Sequence, residues 1–489
     1  MHRRSPPTPT GVPVVHPPVE LPGKRVLIVG LGVSGQAAAR LCHTHGAAVT
    51  LTDQKSEAQL GDALAALAPE MKRRLGGHRI EDFMNSDLIV LSPGVPEGPE
   101  LSAAREAGVA ITGELELASQ FIRATLIAIT GTNGKSTTTT LCGGMMASTG
   151  RPTFVGGNLG LPLSEVVNTP AGREGGVCVV EVSSFQAETI ESFRPQVAVL
   201  LNITPDHLDR HADIEGYVAA KAQMFSAQKQ SDFAVMNLDD PLVLEVARNV
   251  RSRFLPISTT QILSEGGWLQ GDTLNIRIPG CEIERYTADN PKLVGRHNLE
   301  NTLAAIVASR LGGALPSEVH RGLLTFKPLP HRMELCAHVD GVRYYNDSKG
   351  TNVGAAVAAL TGFPRPVVLI AGGRDKGGSY DLLVRAMAQI GRGIVLIGEA
   401  ADRIEAAMGA TVPVDRASSM EEAVRMAAAR AQQGDAVILS PACSSFDMFR
   451  NYGERGAAFR AAAAQLEAES AEAGSEPTTP RVVPNGGTS

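Results

Sequence analysis

Eight short runs along this chain are apolar almost from end to end, and this pattern restricts the fold more than any other feature. They fall at 25–29, 88–91, 126–130, 177–182, 197–202, 367–371, 393–397 and 436–440. A half-exposed strand alternates apolar with polar residues, whereas a parallel strand covered on both faces does not. Helix-compatible stretches, such as 34–45, 380–389 and 420–432, separate the runs. Strand, crossover helix and strand in succession predict an α/β fold with mainly parallel sheets. A chain of 489 residues is too long for one core. The pattern breaks near 112–123 and again near 326–330, where Pro328 and Pro330 interrupt a helical rhythm. Three domains are therefore expected, over 23–116, 117–328 and 329–468. A proline-rich arm (1–22) and a polar tail (469–489) are expected to be disordered.

Composition excludes several classes. A net charge of −6 without any basic stripe gives no reason to expect nucleic acid binding. Six cysteines, with no C-x-x-C pair, argue against a disulfide framework or a zinc site and favour a reducing compartment. No run approaches the roughly 18 apolar residues of a membrane span, and prolines follow Arg3 and Arg4 where a signal peptide needs an apolar core. The expectation is a cytoplasmic protein, not inserted in a membrane.

The run at 126–130 leads into Gly131, Thr132, Asn133, Gly134, Lys135, Ser136 and Thr137, then a helical stretch. Glycines let backbone N–H groups surround phosphate oxygens, and the helix N-terminus faces the negative charge. Lys135 can reach the β- and γ-phosphates, and the Ser136 hydroxyl can face Mg²⁺. The usual first glycine is replaced by Ile129, and the glycine stands at Gly131 instead. Strand, loop, Lys-Ser and helix in this order point to ATP.

A second glycine loop, Gly30-Leu31-Gly32-Val33-Ser34-Gly35, follows the first strand, and Asp53 ends the next one. This is the Rossmann fingerprint in its usual setting. Taken alone it leaves open a nicotinamide oxidoreductase, because the same turn accepts any pyrophosphate. A second phosphate loop in the chain favours a nucleotide-linked substrate here. Glu181, inside an apolar strand, is costly to bury unless paired or bound to a cation. Asp206 and His207 follow the run at 197–202, and Lys221 lies on the next helix. Singly, these last three read as a cap, a surface histidine and a solvated lysine.

Together the motifs resemble the Mur ligases. They are G-T-N-G-K-S-T (131–137), E-V-S-S-F-Q (181–186), N-I-T-P-D-H-L-D-R-H (202–211), H-N-L-E-N (297–301), H-R (331–332), N-D-S-K-G-T-N (346–352), A-G-G-R-D-K (371–376) and S-P-A-C-S-S-F-D (440–447). The shifted glycine is this family's usual form. The resemblance implies a Rossmann-like UDP-binding domain, a central P-loop ATPase domain and a Rossmann-like C-terminal domain. It also implies ATP-driven joining of D-glutamate to UDP-N-acetylmuramoyl-L-alanine through an acyl phosphate, in peptidoglycan precursor synthesis, by a monomer whose C-terminal domain closes on the nucleotide.

Residue roles follow from the same resemblance. Lys135, Lys221 and His207 are the catalytic candidates. Ser136, Glu181, His207 and a carbamylated Lys221 would hold two Mg²⁺ ions. Gly131 to Thr137, Asn301, Arg332 and Asp347 would contact ATP. Val33, Ser34, Asp53, Gln54 and Asn158 would contact the UDP-sugar, Gln54 standing where the family has Thr or Arg. Thr351, Lys376, Ser445 and Tyr452 would hold D-glutamate, Tyr452 standing in place of the more usual Phe.

Overall fold

In the computed structural model, the described residues are 19–206, 211, 213–289, 293, 295–361, 363–375 and 377–474. They form two compact units. One contains the residues up to 289 together with 298–326; the other contains 293, 295–297 and the residues from 327 onward.

The first unit carries two sheets. In the first, β1 (Arg25–Val29), β2 (Ala48–Asp53), β3 (Lys72–Leu75), β4 (Leu88–Leu91) and β5 (Ala110–Gly113) are all parallel, in the order β3-β2-β1-β4-β5. Alternate residues of β1 enter different cores: Val26 and Ile28 pack on one face, Leu27 and Val29 on the other. Burial on both faces is why the strand reads as an unbroken apolar run.

The second sheet has nine strands. β6 (Thr125–Thr130) lies between β8 (Val177–Glu181) and β9 (Val197–Leu200), with β7 (Thr153–Gly157) beyond β8. Past β9 come β10 (Phe233–Asn237), β11 (Arg253–Ser258), β12 (Gly266–Gln270), β13 (Thr273–Arg277) and β14 (Glu284–Thr287). The pairing is parallel as far as β12, and β12, β13 and β14 are antiparallel. In the second unit the order is β15-β16-β20-β17-β18-β19, comprising β15 (Glu334–Val339), β16 (Val342–Asn346), β17 (Val367–Gly372), β18 (Gly391–Ile397), β19 (Val414–Arg416) and β20 (Ala436–Leu439). Only the edge strand β15 is antiparallel.

Two expectations need correction. Residues 19–22 of the proline-rich arm are ordered, because Leu21 is buried in the core and the Val19 amide donates to Gln120 Oε1 at 2.9 Å. Residues 469–474 of the polar tail continue the last helix (Tyr452–Gly474). Their Ala and Glu are strong helix formers, and Glu469 accepts from Gln465 Nε2 one turn back at 2.8 Å. Residues 1–18 and 475–489 lie outside the described residues.

Two buried carboxylates fix the segment between the sheets of the first unit. Both lie on the helix Glu114–Ser119, which directly follows β5. Glu116 accepts the backbone amides of Glu191, Ser192 and Phe193 at 2.8–3.1 Å, and also the Ser192 hydroxyl. Glu114 Oε1 accepts the Ser164 amide at 2.6 Å, while Oε2 is buried with no hydrogen bond. Burial pushes the Glu114 carboxyl up to about 7, against the opposing pull of its Ser164 bonds. Raised in the folded state, it contributes stability that is full below the ordinary carboxylate range and is lost as pH climbs towards 7. The melting temperature of Glu114→Gln should therefore fall less than that of the wild type between about pH 5 and pH 7.5. Equal falls in both proteins would refute this account of Glu114.

Candidate functional site

The glycine loop follows β6, the third strand from the β7 edge of the nine-stranded sheet. Gly131 (φ +154°) turns the chain out of β6, and Gly134 (φ +84°) caps the helix Lys135–Ala147. A Cβ on Gly134 would fall 2.1 Å from Asn301 Oδ1, so glycine is needed for both conformation and space. The loop is held from the end of β9: the Thr132 amide donates to Asn202 O at 2.9 Å, and the Asn133 amide to Asn202 Oδ1 at 2.8 Å. This anchorage explains why β9 stops at Leu200 and the expected strand residue Asn202 turns away. Lys135 Nζ folds back onto the carbonyls of Gly131 (2.9 Å) and Thr132 (2.8 Å). Thr137 is half-buried on the following helix.

Glu181, the last residue of β8, is 3% exposed. Its Oε2 accepts the Ser136 hydroxyl at 2.5 Å, and its Oε1 accepts Asn158 Nδ2 at 2.6 Å. Asn158, expected on the sugar nucleotide, thus stands beside this carboxylate. Gly157 (φ +93°) permits the approach, since a Cβ there would lie 2.4 Å from Glu181 O.

Lys221, on the helix Ile214–Ala222, is 1% exposed and donates to Gly131 O at 2.9 Å. Burial, then the charge of Lys135, holds its ammonium well below the usual lysine range. The solvated lysine of the single-residue reading is therefore wrong. Asn301 is buried and accepts from Thr138 Oγ1 at 3.3 Å. His207 lies outside the described residues. His211, to which sequence reasoning assigned no role, stacks on Phe185 with ring centroids 5.6 Å apart, and its Nε2 lies 3.0 Å from Ser184 Oγ. It ties the chain after β9 to the E-V-S-S-F-Q turn. Its only signal was its place at the end of a family motif.

On the first sheet, Gly30 (φ +84°) and Gly35 shape the other glycine loop; a Cβ on Gly35 would fall 1.9 Å from Gly30 O. Asp53 accepts the amides of Leu31 (2.7 Å) and Lys55 (2.8 Å), so it braces the loop itself. Val33 is exposed on the loop and Ser34 is half-buried. Gln54 lines a cavity of about 500 Å³ together with Val29, His78, Phe83, Val95 and Glu97. The wall at 95–101 was not recognised from sequence.

In the second unit, Asp347 follows β16 and is buried. It accepts the Ser440 hydroxyl at 2.7 Å and the Met333 amide at 3.3 Å. Burial pushes its carboxyl up to about 7, opposed by Ser440 and by the charge of Arg332. Arg332 lies between two left-handed residues, His331 (φ +63°) and Met333 (φ +46°). Thr351 is half-buried, Ser445 is buried, and Tyr452 is partly exposed with Lys349 Nζ 3.8 Å over its ring. All three follow carboxyl ends of strands in the six-stranded sheet. Lys376 lies outside the described residues. Sequence reasoning also passed over Arg455, which proves to be fully buried.

Comparison with known proteins places the same motifs in context. Residues 24–113 match a Mur ligase MurD-like N-terminal domain, 129–309 a Mur ligase middle domain, and 331–443 a Mur ligase glutamate ligase domain. UDP-N-acetylmuramoylalanine–D-glutamate ligase of Geotalea daltonii is 48% identical over 451 residues, covering 92% of this chain and 99% of that protein. The protein of the same name from Anaeromyxobacter dehalogenans is 48% identical over 455 residues, 90% of this chain and 97% of that one. Among solved structures, MurF ligase from Thermotoga maritima in complex with ADP has a TM-score of 0.57 at 17% identity, covering 92% of this chain and 96% of that one. A pseudomurein peptide ligase from Methanothermus fervidus has the same TM-score at 18% identity, covering 91% of this chain and 100% of that one. At such identity these two establish a shared three-domain α/β fold.

The clash at Gly134 yields a direct test. Gly134→Ala combines a left-handed alanine, costing about 1–2 kcal/mol, with displacement of Asn301. ATP affinity measured by titration calorimetry should fall by roughly tenfold or more. Unchanged affinity would mean that the loop geometry does not set nucleotide binding.

Proposed function

The chain belongs to the Mur ligase family, and from that premise we propose that it is an ATP-dependent ligase joining D-glutamate to UDP-N-acetylmuramoyl-L-alanine, in peptidoglycan precursor synthesis. The observation that carries the reaction type is the buried Ser136–Glu181 pair at the phosphate loop. It lies in a chain that aligns along almost its whole length with relatives named for this reaction.

The reaction needs a carboxylate to become a good electrophile. Attack of the L-alanine carboxylate on the γ-phosphorus of ATP forms an acyl phosphate and releases ADP. The D-glutamate amine then attacks the acyl carbon, and phosphate leaves from the tetrahedral adduct as the amide forms. Catalysis is therefore a matter of positioning and of neutralising charge on the transferred group. Backbone amides from Gly131 to Ser136 and the Lys135 ammonium supply that neutralisation at the nucleotide. Asn301, Arg332 and Asp347 are assigned to the nucleotide, and Val33, Ser34, Asp53, Gln54 and Asn158 to the sugar-nucleotide side. Thr351, Lys376, Ser445 and Tyr452 are assigned to the two carboxylates of D-glutamate.

The donor set fits Mg²⁺. Glu181 and Ser136 are hard oxygen donors, and the buried Glu181 carboxylate is hydrogen-bonded by the neutral side chains of Ser136 and Asn158. Ser136, Glu181, His207 and Lys221 would hold two such ions, which when bound offset the charge of the phosphates. Lys221 suits that task only as a carbamate, because an ammonium repels a divalent ion. Burial favours its neutral amine, the form that adds to CO₂ with loss of a proton.

All six cysteines are unpaired, in keeping with a reducing cytoplasm. Among the described residues no helix is long and apolar enough to cross a membrane. We assign the enzyme to the cytoplasm, acting as a monomer on small-molecule substrates.

Phosphate release from ATP should require both UDP-N-acetylmuramoyl-L-alanine and D-glutamate, and Lys135→Ala should abolish it. Release driven instead by L-alanine with the unextended sugar nucleotide, or by a folate acceptor, would overturn the substrate assignment. For Lys221, ¹³C-bicarbonate should give a carbamate carbon signal that is absent from Lys221→Ala. An active, metal-loaded enzyme whose Lys221 carries no added mass would dismiss the carbamate.

A further inference from the structure

Arg455 has the largest fully buried side chain among the described residues, at 1% exposure. It lies in the first turn of the helix Tyr452–Gly474. Its guanidinium reaches two loops, at the carboxyl ends of β16 and β20. Nε donates to Ser348 Oγ at 3.0 Å and Nη2 to Ser348 O at 2.9 Å. Nη1 and Nη2 donate to Cys443 O at 3.1 and 3.2 Å. The loop after β17 passes close by without a hydrogen bond to the group: a Cβ on Gly373 would lie 3.1 Å from Nη1. Ser348 Oγ in turn donates to Tyr452 O at 2.8 Å, which closes the network onto the helix.

These loops carry three of the residues assigned to D-glutamate: Thr351 follows Ser348, Ser445 follows Cys443, and Tyr452 begins the helix. The inference therefore rests on the function proposed above. Among the described residues no carboxylate forms an ion pair with Arg455. Asp347 and Asp447 act on it only through space, and Asp447 Oδ1 is itself buried without a hydrogen bond. Burial lowers the guanidinium to about 10, so it keeps its proton at neutral pH. An unneutralised buried cation is costly, and a fold tolerates it where something else uses the charge.

We propose that Arg455 is a positioning residue for the amino-acid substrate: its planar fork ties the loops after β16 and β20 in register, and its charge, offset by carboxylates only through space, favours an amino acid with two carboxylates. The fork explains arginine in place of lysine, since one ammonium cannot bond the Ser348 hydroxyl and two carbonyls in a plane.

The test is steady-state kinetics of Arg455→Gln and Arg455→Lys, with KM determined separately for D-glutamate, ATP and the sugar nucleotide. In Arg455→Gln the D-glutamate KM should rise on the order of thirtyfold or more, the cost of removing a buried charge, with the other two KM values little changed. Arg455→Lys should recover part of that loss. Should the glutamine variant not fold, Arg455→Lys decides alone through the same selective rise. Parallel shifts in all three KM values, or a lysine variant no better than glutamine, would reduce Arg455 to a structural role and overturn the proposal. A wild-type enzyme without D-glutamate-dependent phosphate release would instead sink the reading beneath it.

Discussion

Burial of the sheets on both faces is the constraint on which the rest of this structure depends. Ile127, Ala128, Ile129, Val179, Val180, Val199 and Leu200 are all fully buried. Each large apolar side chain so buried contributes about 1.5–3 kcal/mol, and a polar atom placed among them without a partner costs a similar amount or more. Polar chemistry can therefore begin only where a strand ends. Asp53 ends β2, Thr130 β6, Glu181 β8 and Asn346 β16, while Asn202, Asp347 and Ser440 follow their strands by one or two residues. The carboxyl ends of parallel strands collect the functional groups because the strand interiors cannot hold them.

The same constraint makes the phosphate cradle rigid. Loop residues between β6 and its helix have no regular pairing of their own, so their hydrogen bonds must come from neighbours. Asn202 supplies two of them, and Tyr217 and Thr204 meet the Thr132 hydroxyl. The donors assigned to phosphate are thus held by neighbouring groups, which is the preorganisation that charge stabilisation requires. Gly131, Gly134 and Gly157 serve one purpose, to bring backbone close to a polar partner.

The fold was largely legible in the chain because two-sided burial leaves a continuous apolar signal. β1 and β4 span the expected residues, and the other expected strands differ by a residue or two at one end. What escaped notice were the elements without that signal. The hairpins β12 to β14 lie at a sheet edge, and polar residues such as the buried Asn275 interrupt their apolar runs. The partners of Asp53 and Asn158 were also hidden. A polar side chain next to a glycine loop can face a ligand or brace the loop, and spacing along the chain cannot distinguish the two. The distinction is made by backbone amides brought in by the fold, such as those of Leu31 and Lys55 at Asp53.

The two buried cations resolve the cost of desolvation in opposite ways, and the difference follows from their chemistry. Lys221 donates to the Gly131 carbonyl, and burial, then the charge of Lys135, weakens its hold on its proton against the opposing pull of Asp206 and Glu181. The neutral amine that burial favours is the reactive form, and the carbamate proposed for it would reverse the sign of the group in the unit assigned to the phosphates. A guanidinium has no such exit, because even the lowered value of Arg455 lies well above neutral pH. It is held by fixed acceptors on two loops and keeps a permanent charge in the unit assigned to the amino acid. A lysine at position 455 could discharge and an arginine at 221 could not be carbamylated. The residue type at each buried site is therefore set by whether the charge there has to change or to stay.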